Sequence, residues 1–511
     1  MKVLNNLLFT IYLLVLLTSC KKTTSNRYDI TEFGATADTT ILSTVAINKA
    51  VETCSNNGGG TVYVPTGTYY SGTIILKSNV TLYLETGAVI KGSRDTADYM
   101  INGKKYGLVF ARNAKNIAIE GHGELNGNGT YFFDPTKPHL AGDFDKSYTR
   151  QGENFMDVKY GLEDGPIKYI TRPGMMVVIM NCENVKITDV MLRDTPEWTV
   201  RFGDCDNVDV RGVSIFANQL VPNSDGIHCT NSRNVRISDC DIRCGDDAVI
   251  VSGFDQLIGV HGEIRKAEDE GILLGNKTGR SENIMVTNCT LESRSAGIRI
   301  GYGEHSIRNC VFSNLSIYNS NRGIGIFARD TANIENLQFS NILIQTRLHK
   351  GHWWGKGEPV HISSIQQKKE YPVGYVKNIY FQNVRIEGET GLVLYAQKPG
   401  LVENIVFNNL TVKIKKSPID SIYGGNIDLR PTMSPATQIF KSDIPAVYVL
   451  NVNNLKMRDV EVGWDKNLAS YFTDGIHAVN VTGGYIDNFS GTGATPAFKG
   501  IFLEKSDLKI K

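Results

Sequence analysis

Asparagine followed by an apolar–x–apolar triplet recurs from one end of this chain to the other. It stands at Asn79-Val80-Thr81-Leu82, Asn116-Ile117-Ala118-Ile119, Asn184-Val185-Lys186-Ile187, Asn207-Val208-Asp209-Val210 and Asn234-Val235-Arg236-Ile237. The same pattern continues at Asn283, Asn309, Asn336, Asn378, Asn404 and Asn454. Neighbouring spacings are 23 (184 to 207), 27 (207 to 234), 27 (309 to 336) and 26 (378 to 404), and the larger gaps of 49 and 50 are near double that or hold inserted loops. Alternation with a period of two means half-buried strands, and a fixed repeat in the twenties means a solenoid. Leucine-rich repeats share the period but need a Leu-rich consensus and often helices. Here the segments are rich in Val, Ile and Phe, with Gly, Asn and Asp at the turns. The predicted fold is all-β, a right-handed parallel β-helix whose turns stack about 4.8 Å apart. The recurrent Asn is then a structural turn and ladder residue, because Asn tolerates left-handed backbone and bonds its own main chain.

Helical spacing is expected once. Ile47, Ala50, Val51 and Cys54 keep the i, i+3, i+4, i+7 pattern before Asn57-Gly58-Gly59-Gly60. One amphipathic helix there caps the first solenoid turn against strand addition. Two stretches lack the repeat, near 128–171 and 347–374, and are read as loop insertions on the flank of one domain covering 28–511. Residues 1–20 read as an export signal: Lys2, an apolar stretch from Leu7 to Leu17, then Thr18-Ser19-Cys20. That stretch is too short to span a bilayer as a mature helix. Leu17-Thr18-Ser19-Cys20 resembles a bacterial lipobox, which implies cleavage before Cys20, acylation of that cysteine and a short linker over 21–27. The expected location is therefore outside the cytoplasm, with lipid at Cys20 the only tie to a membrane.

Composition narrows the partners. Lys plus Arg is 54 against 53 for Asp plus Glu, and the two become equal once Lys2 leaves with the signal. A net-neutral chain argues against nucleic acid as a partner, and any attraction to an acidic substrate must be local. The nine cysteines hold no CxxC pair or zinc-type spacing, so they read as small buried hydrophobes, with a disulfide or two compatible with an oxidising compartment. No cofactor or metal is expected, and the chain is expected to be a monomer.

The chemistry concentrates in Asn223-Ser224-Asp225-Gly226 and Gly245-Asp246-Asp247, 21 residues apart (246 − 225). Carboxylates gathered like this hold their protons at shifted pKa values, and such groups bind a metal or cleave glycosidic bonds. With Phe33-Gly34-Ala35, Gly58 to Pro65, Arg172-Pro173 and Trp198-Thr199, these two clusters make the chain resemble the polygalacturonase-like enzymes of glycoside hydrolase family 28. The resemblance covers nearly the whole mature chain. It implies that Asp246 protonates the leaving oxygen while Asp225 and Asp247 hold and deprotonate water, with inversion of the anomeric centre. Inversion leads us to expect the acid and base carboxyls roughly 6.5–9.5 Å apart. It also implies a pectic substrate, of polygalacturonan or rhamnogalacturonan type.

Two motifs of that family are disturbed. Counting phase from the repeat Asn, Ser295-Ala296-Gly297 occupies the Gly-His-Gly slot, and the His is missing. The Arg-Ile-Lys slot reads Gly325-Ile326-Phe327, while Arg299 stands one turn early, beside the acids. Arg299 is therefore the first candidate for gripping a uronate as a bidentate partner, the other reading being an outward, solvated Arg. His228 is a candidate replacement for the lost His, and Asn223 and Lys277 are further candidate substrate contacts. In His352-Trp353-Trp354-Gly355-Lys356, the paired Trp residues read either as sugar platforms, with Lys356 on a carboxylate, or as loop anchors. A large loop beside the cleft would close one end and favour exo-cleavage. Two other activities fit the residues less completely: a calcium-dependent pectate lyase, built on the same acids with Arg or Lys as base, and a carbohydrate binder with a decayed site.

Overall fold

A computed structural model describes residues 26–511 apart from 141, 143, 157–160 and 255–278. The export signal with Cys20, and Lys277, lie outside the described residues. The chain winds as a right-handed parallel β-helix. One sheet of 13 strands forms a face of its own, and a second of 22 strands wraps the other faces. Inward positions alternate with outward ones, as at Val80–Leu84 and Ile334–Thr346. Stacking of like on like is literal in the core: the rings of Phe312, Phe339, Phe381 and Phe407 lie parallel at centroid spacings of 4.9, 4.7 and 4.7 Å. That spacing is the rise per turn.

Every repeat Asn occupies left-handed backbone, from φ 53° at Asn454 to 64° at Asn79. Their side-chain amides form a ladder, for instance Asn184 Nδ2 to Asn116 Oδ1 at 2.9 Å and Asn404 Nδ2 to Asn378 Oδ1 at 2.8 Å. A second ladder lies five residues further on, through Asn288, Asn314, Asn341, Asn383 and Asn409. Left-handed backbone costs an ordinary L-residue about 1–2 kcal/mol, which Gly escapes and Asn offsets with its local bonds. Asn341 (φ 56°) donates to Asn314 at 3.1 Å and accepts from Asn383 at 3.0 Å. Asn341→Ala is therefore expected to melt lower than wild type by the equivalent of about 1–2 kcal/mol, and lower than Asn341→Gly. Equal melting of the two variants would remove the backbone argument.

Helix α1 (Thr44–Asn56) buries Ala46, Ile47, Ala50, Val51 and Cys54 against the first turns. All eight described cysteines are free and buried, as core filler requires. The face that matters for chemistry is the 13-stranded one. Its central strands are β1 (Val200–Gly203), β2 (Ile227–Thr230), β3 (Val249–Gly253), β4 (Ala296–Gly303), β5 (Arg322–Ala328) and β6 (Val360–Ser364), each pairing in parallel with the next. Pairing of Val249 with Ile298, and of Arg299 with Gly325, fixes the register that the Asn phase predicted.

Three excursions leave this frame just before strands of that face and meet one another. Residues 127–176 carry an antiparallel hairpin, Phe133–Pro138 with Ile167–Tyr169. Further along this excursion Arg150 N–H donates to Asn426 Oδ1 at 2.8 Å, and its guanidinium donates to the Ser442 carbonyl at 2.6 Å. The Asp164 carboxylate accepts from Arg347 at 3.2 Å, lies 3.1 Å from His349 Nδ1 and pairs with Arg294 at 3.3 Å. Trp353 Nε1 donates to the Asp164 carbonyl at 3.0 Å. The two insertions recognised in the sequence, joined by residues 415–446, thus form one wall.

Candidate active site

The acids sit where the chain enters β2 and β3. Asn223 turns through φ 57°, and Ser224 Oγ ties the two clusters by donating to the Val221 carbonyl and accepting from Gly245 N–H, each at 2.8 Å. A Cβ on Gly245 would lie 2.3 Å from the Val221 carbonyl oxygen, and one on Gly226 would lie 2.2 Å from that of Ala248. The glycines are there so that the two acidic turns can stack.

Asp225, Asp246 and Asp247 are 3%, 8% and 5% exposed, and one oxygen from each lies within 4.8 Å of the others. One oxygen of each acid thus converges on a common region. Proximity and burial raise the cost of ionising all three. Burial first, then Asp247, pushes Asp246 up to about 7, against the opposing pull of Arg299. Burial, with Asp246 and Asp247, also holds Asp225 well above the usual carboxylate range.

Asp247 is the acid with a full set of donors. Its Oδ1 accepts from Ser295 Oγ at 2.7 Å and from Ala296 N–H at 2.9 Å, and its Oδ2 pairs with Arg299 Nε. The residues in the place of the Gly-His-Gly motif therefore hold Asp247 directly, a role for Ser295 that its sequence position alone did not reveal. Arg299 also donates Nη1 to the Gly301 carbonyl at 2.7 Å. Burial works against its charge, but Asp247, Tyr302 and Asp225 more than compensate and raise its pKa. Arg299 is therefore not the outward, solvated Arg of one reading, and its Nε and Nη1 are taken by the protein.

His228 lies within the wall of the site and is not open to it. Its ring stacks on Trp198 with centroids 3.9 Å apart, Nε2 is 2.8 Å from Ser252 Oγ, and Nδ1 is 3.9 Å from Asp225. Burial, then Arg299 and Arg201, drives its pKa well below the usual value, so it is neutral. It lies beside Asp225 without a hydrogen bond to it and, fully buried, does not present itself to a substrate in place of the lost His. Asn223 links the acids to Arg172: its Nδ2 faces Asp246 Oδ2 at 3.4 Å, and its Oδ1 faces Arg172 Nη2 at 3.4 Å.

The Trp loop divides between its two readings. Trp353 is 2% exposed and anchors the wall through its indole N–H, so it is no sugar platform. Trp354 is half-buried under the Arg430 guanidinium, 4.5 Å from its ring centroid. Lys356 is buried and donates to the Gly355 carbonyl at 2.9 Å. Burial lowers it to about 7, with Asp428 pulling the other way. The loop roofs the groove beyond the acids: Asn321 Nδ2 donates to the carbonyls of Trp354 at 2.8 Å and Gly355 at 3.0 Å.

Comparison with known proteins agrees with this arrangement. The sequence pattern of glycosyl hydrolases family 28 matches residues 54–351. An exo-poly-alpha-D-galacturonosidase of Dickeya chrysanthemi is 25% identical over 447 residues, 75% of this chain and 71% of that protein. A probable polygalacturonase of Vitis vinifera is 28% identical over 246 residues, and the match spans only 44% of either protein. Among solved structures, the family 28 exopolygalacturonase of Yersinia enterocolitica superposes with a TM-score of 0.62 at 18% identity, covering 90% of this chain and 78% of that one. The exopolygalacturonase of Thermotoga maritima gives 0.56 at 21% identity, covering 76% and 87%. At these identities the two superpositions are statements about the fold.

Proposed function

The chain belongs to glycosyl hydrolases family 28 and is a glycoside hydrolase, and from that premise we propose that it cleaves α-galacturonosidic linkages of a pectic chain, from one end and with inversion. One observation carries the reading: a buried Asp246, its pKa pushed up to about 7, lies beside an Asp247 that three donors hold in place. An acid and a base at different protonation states are what glycosidic hydrolysis needs.

In the proposed mechanism Asp246 gives its proton to the leaving glycosidic oxygen. A water held between Asp225 and Asp247 attacks the anomeric carbon from the opposite face, and that pair takes up its proton. Asp225 Oδ1 has no partner within the protein, which leaves it able to accept from the water. Both oxygens of Asp247 already receive N–H or O–H donors, an arrangement that favours a base over a cation ligand and so hydrolysis over calcium-dependent elimination. The wall formed by the 127–176 and Trp loops supports end-on attack, because an unobstructed solenoid face is an open groove. The Dickeya chrysanthemi relative carries an exo-acting name in the same sense. Export with acylation at Cys20, and action as a monomer, complete the proposal.

The close spacing of the three carboxyls makes stereochemistry the informative test. Proton NMR of the first turnovers on an α-linked galacturonate oligosaccharide is expected to show the β-anomer appearing before mutarotation. The α-anomer as first product would assign one of the acids as a nucleophile and end the inverting mechanism.

A further inference from the structure

In-register stacking puts the acids in a column that continues beyond them. Trp198, Asp225, Asp247 and Ala296 each stand two residues before the paired positions Val200, Ile227, Val249 and Ile298. Ala296 pairs with Arg322, and Glu358 follows at the next turn, two residues before Val360. Arg322 is therefore two turns past Asp247, about 10 Å along the groove. Ala296 holds the position between them.

Arg322 is 4% exposed, as secluded as the acids, yet it is loosely bound. Its Nε is 3.4 Å from Glu358 Oε2 without making a hydrogen bond, and its Nη2 reaches the Asp428 carbonyl only at 3.4 Å. Arg430, by contrast, grips both oxygens of Asp428, at 3.0 and 2.7 Å. Arg329 donates to the Ser363 side chain and to the Leu429 carbonyl, each at 2.9 Å. The cations are crowded: Arg322, Arg329 and Arg430, with Lys356 lowered to about 7, share the carboxylates Glu358, Asp428 and Asp330. A buried guanidinium N–H without a hydrogen bond is costly, and an entering carboxylate relieves that cost. Positions 325 and 327 of the same strand are Gly and Phe. The Phe327 ring fills the space over Gly325 and carries the Arg322 guanidinium 4.9 Å above its centroid.

Resting on the hydrolase reading above, we propose that Arg322 receives the carboxylate of the uronate at the closed end of the groove and so sets specificity for an acidic terminal sugar. Phe327 shelves the guanidinium from below, and the backbone at Gly355 (φ 97°) closes over it from above. The short distance from Asp247 to Arg322 limits the released unit to one or two sugars.

The test compares kcat/KM on a galacturonate oligosaccharide with that on the same oligosaccharide whose chain-end carboxyl is reduced to the alcohol. Wild type is expected to prefer the acid, and Arg322→Gln to shrink that preference by about 10- to 150-fold, the value of a charge-assisted pair. Arg322→Lys, which keeps the charge and loses the fork, is expected to fall between them and guards against a misfolded glutamine variant; melting curves on both report folding. An unchanged preference in folded Arg322→Gln or Arg322→Lys overturns the assignment while leaving the hydrolase reading intact. Failure of wild type to cleave either oligosaccharide overturns both.

Discussion

Replacing Asp246 by asparagine is expected to lower kcat by about 10²–10⁴-fold while leaving the fold and glycan affinity nearly unchanged. The exchange is close to isosteric and removes the proton that Asp246 would transfer. The pH dependence has a definite sign. Asp246 is protonated below about 7, so wild-type kcat should fall as pH rises through that value. Stability follows the same rule. A carboxyl whose folded pKa is raised contributes stability below its unfolded pKa and loses it as pH rises through the folded value. Asp246→Asn should therefore melt higher than wild type at pH values above about 7, with the gap closing in acid. A purified variant that kept more than about a tenth of wild-type turnover would show that Asp246 is not the acid.

Arg299→Gln should damage both catalysis and stability, because Arg299 is the counter-cation of a buried carboxylate. Removing one partner of such a pair costs about 3–5 kcal/mol, since the other charge stays behind uncompensated. The loss in kcat is expected to be about 10²-fold, the lower end of what a positioned base contributes. Arg299→Lys keeps the charge and should recover part of both. A purely structural role predicts lower melting with full turnover per folded molecule, so kcat normalised to folded protein separates the cases. Weakened substrate binding alone, with kcat intact, would return Arg299 to the uronate-gripping role that its sequence position first indicated.

The solenoid and its register were legible because they are periodic. Each repeat Asn marks the same bend, so a count of residues places Ala296 opposite Asp247 and Gly325 opposite Arg299, as the paired strands do. The same arithmetic could have found the second Asn ladder and the place of Arg322 in the acid column, since both are fixed offsets from the first Asn. What no count could supply is the meeting of the excursions. Asp164 and Trp353 are 189 residues apart and touch only because two aperiodic loops fold towards each other. The protein partners of Arg299 and Lys356 were hidden for a related reason: a charged residue in sequence carries no sign of whether its partner is substrate or protein. Only the structure shows Asp247 and the Gly355 carbonyl already in place. The carboxyl spacing is likewise a matter of a few ångströms of side-chain splay, which stacking geometry alone leaves open.

Hydrolysis at the closed end of a walled groove is tested most directly by mass spectrometry of an early digest of a long galacturonate oligosaccharide in ¹⁸O-labelled water. The expected result is steady release of one short, saturated uronide, with the remaining chain shortened by that unit and a single ¹⁸O at the newly formed reducing end. A ladder of intermediate lengths at early times, or unsaturated products without label, would contradict it.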